Sequence, residues 1–169
     1  DWGFSWTDMT ANVLGAGFFL AQDLLWNEQR FIPKFSYHAT EYAAYRPSVL
    51  GANFQERLLK DYNGQTYWLS ANLYLFTKLS TIPKWLNIAV GYGAEGMITG
   101  RDEFVNTIFL PESERYRQFY LSLDVDLTKI ETKSHFLKTF FSVFNSIKIP
   151  APTFEYSANE GLRGHILYF

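Results

Sequence analysis

The 169-residue chain contains no cysteine. That excludes disulfides and thiolate metal sites but leaves the compartment open. No apolar run approaches the roughly 20 residues that a membrane-spanning helix needs. The best candidate, Val13 to Leu20, stops at Gln22-Asp23, so any meeting with a membrane falls to strands or an interfacial helix. Charge of one sign is also missing. A net charge of −2 gives no electrostatic reason to expect nucleic acid. The three histidines, His38, His135 and His165, lack metal-ligand spacing, and neither a metal nor another cofactor is expected. The sequence opens on Asp1 rather than Met and carries no signal peptide, so it reads as processed or truncated.

What the chain has in plenty is aromatic. Sixteen Phe, eleven Tyr and five Trp make up 19% of the residues. Such enrichment suits the aromatic girdles of membrane interfaces, and equally a small core built on Phe. The clearest pattern lies in Tyr116 to Thr128. Phe119, Leu121, Leu123, Val125 and Leu127 alternate there with Gln118, Tyr120, Ser122, Asp124 and Asp126. Successive strand side chains point to opposite faces, so this is an amphipathic strand. Tyr67 to Thr77 and Leu86 to Ile98 repeat the alternation, and Gly91 and Gly93 leave room in the polar row of the second. The chain closes on Gly161 to Phe169, whose terminal Phe resembles the C-terminal signal of outer-membrane β-barrels. His165 departs from that pattern, since period two puts it on one face with Leu167 and Phe169.

The remaining segments complete an outline. A helix is expected from about Thr7 to Gln29, capped by Ser5 or Thr7, with Gly15 and Gly17 offering a bare face for close helix packing. Short strands are expected over Phe31 to Ala39 and Tyr42 to Val49, with a less regular one over Glu103 to Leu110. Asn53 with Glu56 marks a helix start, giving a helix from Phe54 to Tyr62 that ends at Asn63-Gly64, where a turn calls for positive φ. Ser134 to Lys148 has helical spacing and a wide apolar stripe, stopped by Pro150 and Pro152. A last hairpin pairs Phe154 to Ala158 with Leu162 to Phe169. Residues 1–30 thus form a helical segment, and 31–169 an antiparallel β domain with helices near 54–62 and 134–148.

Candidate chemistry is sparse. Hydrolysis would need Ser70 or Ser122 beside a histidine with a third group orienting it, with Ser36, Asn72 and Glu95 as further polar candidates. Asp124 and Asp126 would hold their carboxylates about 7 Å apart on one strand face, to pair with cations on adjacent strands or to take Ca²⁺. Arg115 and Arg117 could hold phosphate or lipid headgroups. The loop Asp61-Tyr-Asn-Gly-Gln-Thr66 ranks first as a recognition site. An aromatic cleft near Tyr62, Tyr67 and Trp68 would serve a glycan- or lipid-binding module. The weighed ligand- or partner-binding set is Asp61, Tyr62, Asn63, Gln65, Thr66, Trp68, Glu95, Asp124 and Asp126.

Several strings resemble the YfiM-like envelope lipoproteins of Gram-negative bacteria. They are Trp6-Thr-Asp8 with Asn12 and Gly15-Ala-Gly17, Leu59 to Ser70, Asn87 with Gly91-Tyr-Gly-Ala-Glu-Gly-Met97, Tyr116 to Ser122, and Ile147-Lys-Ile-Pro-Ala-Pro152. That family carries an upstream helical half with an Asp-Lys-x-x-His string. The resemblance therefore implies the C-terminal portion of a longer member, at the outer membrane or the periplasmic face of the envelope, with no established activity. The expectation is a β-rich protein with flanking helices, forming a small antiparallel outer-membrane β-barrel or half-barrel. A soluble α+β domain is the alternative. Its role would be structural or accessory, with outer-membrane lipid and other envelope subunits as partners; a lipid-acting hydrolase and a binding module are the alternatives.

Overall fold

The computed structural model describes residues 5–98, 104–105, 108–109 and 115–169. Six strands form one antiparallel sheet in the order β1-β2-β3-β6-β7-β8. They are β1 (Phe31–Tyr37), β2 (Gln65–Asn72), β3 (Leu86–Glu95), β6 (Tyr116–Val125), β7 (Ala151–Ser157) and β8 (Gly161–Tyr168). Two-residue strands β4 (Phe104–Val105) and β5 (Ile108–Phe109) pair with each other. The rest of the strand expected over 103–110 lies outside the described residues. The order is a meander: each main strand pairs with the next main strand in sequence. β1 and β8 are not paired with one another, so the ladder stays open.

The sheet is nevertheless curled. Lys34 on β1 reaches Asp124 on β6, three strands away, at 2.9 Å. Tyr168 on β8 brings its ring to 5.8 Å from that of His38, just past the end of β1. Residues 146–148 lie along the free edge of β1, where Phe35 N–H donates to Ser146 O and Lys148 N–H to Phe35 O. The concave side becomes an enclosed core. Gly91 permits this curl, because a Cβ there would sit 2.6 Å from the Trp68 ring that fills the concave side.

Local chemistry sets the helices. Helix α1 (Trp6–Trp26) ends at Asn27 in the left-handed region, before the expected Gln29. Among the described residues the close packing expected at Gly15 and Gly17 is absent, since a Cβ at either would meet nothing within 4 Å. Only Gln22 of α1 is buried. Its side chain clamps the chain entering β1, accepting from Arg30 N–H and Phe31 N–H and donating to Phe31 O. The strand expected over 42–49 is instead two short helices, α2 (Tyr42–Tyr45) and α3 (Pro47–Leu50). Pro47, inside that expected strand, sits at the first helical position of α3, where its missing N–H costs nothing. Helix α4 (Phe54–Lys60) opens as expected, with Asn53 Oδ1 accepting from Glu56 N–H and Glu56 reaching back to Ala52 N–H.

β2 stops at Asn72 rather than running to Thr77. Asn72 Oδ1 accepts from Leu75 N–H and starts α5 (Leu73–Thr77). Helix α6 (His135–Phe144) is capped by Ser134 and ends short of Lys148 because 146–148 join the edge of β1. Gly64 is not at positive φ. It is required by close approach, since a Cβ there would fall 2.1 Å from His38 O.

Candidate functional site

The sheet is inside out relative to a soluble sandwich. Its polar face is buried on the concave side, and its apolar face is exposed on the convex side. Burial normally follows the apolar set. Here Ser36, Thr66, Ser70, Asn87, Gln118, Ser122, Asp124, Thr153 and Glu155 are buried. By contrast Val90, Phe119 and Phe154 are 55%, 54% and 61% exposed.

Hydrogen bonds satisfy most of the buried polar groups, which water would otherwise do; among the described residues Asn87 Oδ1 and Asp126 Oδ2 have no hydrogen-bond partner. Asp124 accepts from Ser70 Oγ at 2.6 Å and pairs with Lys34 Nζ at 2.9 Å, while Lys148 Nζ lies 3.9 Å away. All three charged side chains are fully buried. Lys148 also donates to Leu123 O and Ile149 O and sits 5.0 Å from the centre of the Trp68 ring. Lys34 donates to Val125 O. Asp126, just past β6, caps the 3-10 turn Leu127–Lys129 by accepting from Thr128 N–H, and takes a further bond from Asn145. A second cluster lies toward the other end. Glu95 accepts from Tyr42, Tyr116 and Gln118, and Gln118 also donates to Glu155, which contacts His165 at 2.7 Å. Between the clusters Tyr120 and Tyr168 stack and Trp68 packs tilted against Tyr120, with Trp68 Nε1 donating to Ser36 and the Tyr168 hydroxyl to that of Tyr120.

The convex face is ordered in rows. Phe35, Tyr67, Tyr92, Phe119 and Tyr156 are successive cross-strand partners, giving one row of five aromatic rings across five strands. The next row is Pro33, Leu69, Val90, Leu121, Phe154 and Gly164, and beyond it come Phe31, Ala71, Ile88 and Leu123. At the far end Trp26, Phe31 and Phe76 pack together under Arg30, and Trp85 is exposed nearby. From Tyr92 to Trp85 is about 24 Å measured along the strand. Arg30 and Lys78 also hold Glu28 there. Burial alone would raise that carboxyl, but the two cations outweigh it and keep it below the ordinary range.

A β-bulge finishes the arrangement. Between Thr153↔His165 and Ala151↔Tyr168, β8 holds an extra residue. Ile166 and Leu167 therefore both face outward, at 88% and 69% exposed, while His165 and Tyr168 both face inward. This corrects the period-two expectation that His165 shares a face with Leu167. The bulge shifts the phase between them.

The expected site residues divide between the two faces. Trp68, Thr66, Glu95, Asp124 and Asp126 belong to the interior. Asp61 and Asn63 are also buried and brace their loop. Asp61 accepts from Thr40 and from Asn63 Nδ2, and Asn63 Oδ1 accepts from Met97 N–H. Gln65 is buried too, bonded to Leu58 O and the Tyr67 hydroxyl. The loop ranked first for recognition thus presents only Tyr62 to the exterior among these residues. Tyr62, Gln65 and Tyr67 do line a cleft of about 280 Å³, together with Tyr92, Gly93, Ala94, Met97 and Arg117, but Trp68 points away from it. Serine and histidine are not brought together: Ser70 bonds Asp124 and Asn87, Ser122 bonds Thr153, and His38 lies against Tyr168. Lys34 and Lys148 were not foreseen as buried. The phase of Lys34 with Ser36 was the one available signal, and the sequence around Lys148 carries none. Among the described residues no group of three or more His, Cys, Asp or Glu side chains could hold a metal ion.

No protein-family model, curated protein or solved structure matches the chain.

Proposed function

We propose that this chain is an outer-membrane β-protein of the Gram-negative envelope, a half-barrel whose convex face meets lipid and whose role is structural or accessory to an envelope assembly. The observation that carries the reading is the inverted sheet: a bonded polar concave side under registered aromatic and aliphatic rows. A strand with water on its convex side has no physical reason to expose Val90, Leu121, Phe154, Ile166 and Leu167 together. In hydrocarbon the same face is matched to its solvent, and the row of rings from Phe35 to Tyr156 is the kind of girdle that marks the interface.

The helices fit the same picture. α6 has no buried residue and exposes Phe136, Phe140, Val143 and Phe144, as an interfacial helix would. α1 exposes Val13, Leu14, Phe19, Leu20, Leu24 and Leu25. Those exposed apolar residues suit a partner subunit; no helix among the described residues is long and apolar enough to cross a membrane. The envelope location follows the resemblance of those strings to YfiM-like lipoproteins and is proposed on that basis. The test is an alkaline carbonate wash of membranes from expressing cells. Retention in the pellet with a heat-modifiable gel band is expected, and release into the supernatant would refute the reading.

A further inference from the structure

Arg117 stands one row beyond the aromatic row, on the convex face, where it pairs in register with Ala94. Its guanidinium lies 5.9 Å from the centre of the Tyr92 ring. Among the described residues it forms no ion pair. It closes the 280 Å³ cleft together with Tyr62, Tyr67, Tyr92 and Met97, and the three tyrosines are 56%, 57% and 42% exposed. A cation without a carboxylate beside an apolar aromatic wall is a half-built ion pair. The wall continues without interruption into the Leu69, Val90 and Leu121 row.

We propose that this cleft holds the phosphate of an anionic membrane lipid, with the guanidinium on the phosphate, the tyrosine rings along the glycerol region, and the acyl chain running down the aliphatic row. The assignment rests on the membrane reading above. Guanidinium suits phosphate because its planar donors match two phosphate oxygens at once. The height also suits it, since Arg117 lies on the strand-end side of the girdle, where headgroups begin, rather than within the aliphatic rows. A free soluble phosphate would make no use of the apolar continuation.

The full chain would be reconstituted in phosphatidylcholine vesicles with trace spin-labelled phosphatidylglycerol or spin-labelled phosphatidylcholine, and the association of each label measured. Preference for phosphatidylglycerol is expected. Arg117→Gln should weaken association of the anionic label about fivefold, the factor for one guanidinium at an anionic surface, while Arg117→Lys, which keeps the charge but not the two-point match, should fall between the Gln variant and wild type. The variant should stay folded, because Arg117 is exposed and among the described residues its guanidinium forms no ion pair, lying over the Tyr92 ring; a heat-modifiable band checks this. If the folded Gln variant keeps the full preference while floating with the vesicles, the cleft assignment fails and the membrane reading stands. Loss of the preference in millimolar inorganic phosphate at constant ionic strength would identify a free-phosphate site and overturn the lipid assignment. If the wild-type protein does not float with vesicles, both readings fall.

Discussion

Arginine placed in the middle of the convex face separates lipid from water as the solvent of that face. Val90 and Leu121 are direct cross-strand partners in the central sheet, flanked by Leu69 and Phe154 in the same row. They lie two residues, or about 7 Å along the strand, below the aromatic row. A guanidinium costs about 2–4 kcal/mol at the bilayer midplane and about 0–1 kcal/mol at the girdle, so about 1–3 kcal/mol at this intermediate depth. Val90→Arg or Leu121→Arg should therefore lower the folded-to-unfolded ratio about 5- to 140-fold, and Tyr156→Arg in the aromatic row less. In water all three are exposed side chains, and the expected change is within about 0.5 kcal/mol. Urea unfolding of the vesicle-reconstituted protein, followed by tryptophan emission, reads the difference. Equal midpoints for Leu121→Arg and wild type would refute the lipid-facing argument, whatever the other variants do.

The concave side carries further expectations. Asp124→Asn leaves Lys34 and Lys148 buried without their carboxylate and should cost about 3–5 kcal/mol, with Lys34→Met in the same chain restoring part of it; denaturant midpoints of the single and double variants check this. Gly91→Val forces atoms against the Trp68 ring, whose carbons lie 2.6 and 2.7 Å from the Cβ position. A loss of about 1–3 kcal/mol is expected, and Trp68→Leu should relieve it in the double variant. Burial holds the His38 imidazole below its ordinary pKa, although Glu95, Asp61 and Glu155 pull it upward. A base with a lowered folded pKa binds fewer protons when folded than when unfolded. Stability from this group is therefore present above the unfolded pKa of about 6.5 and lost as pH falls below it. His38→Phe should flatten the stability profile in that window, and an unchanged slope between about pH 5 and 7 would refute the assignment.

Much of the sheet was legible in the chain because strand alternation is a local signal. Gln118 to Asp126 sorted its side chains into two faces without any tertiary information, and the caps at Asn53 and Ser134 announced two helix starts. Local rules erred where a single side chain or a bulge intervened. Asn72 turned the end of an expected strand into a helix, and the extra residue in β8 reversed the faces of Leu167 and Tyr168. Tyr62 and Tyr67 were named from the sequence as cleft residues; Tyr92 and Arg117 joined them only through register, from strands 25 and more residues away.

Read locally, the sequence establishes that the strands have one polar and one apolar face, since that depends only on period two. It could not determine which face is enclosed. That depends on the sense in which the sheet curls, and the curl rests on long-range pairings that no local window contains: Lys34 with Asp124, Tyr168 against His38, and 146–148 along β1. Once the polar side is the concave one, buried lysines find their carboxylate and the aromatic row is left facing outward.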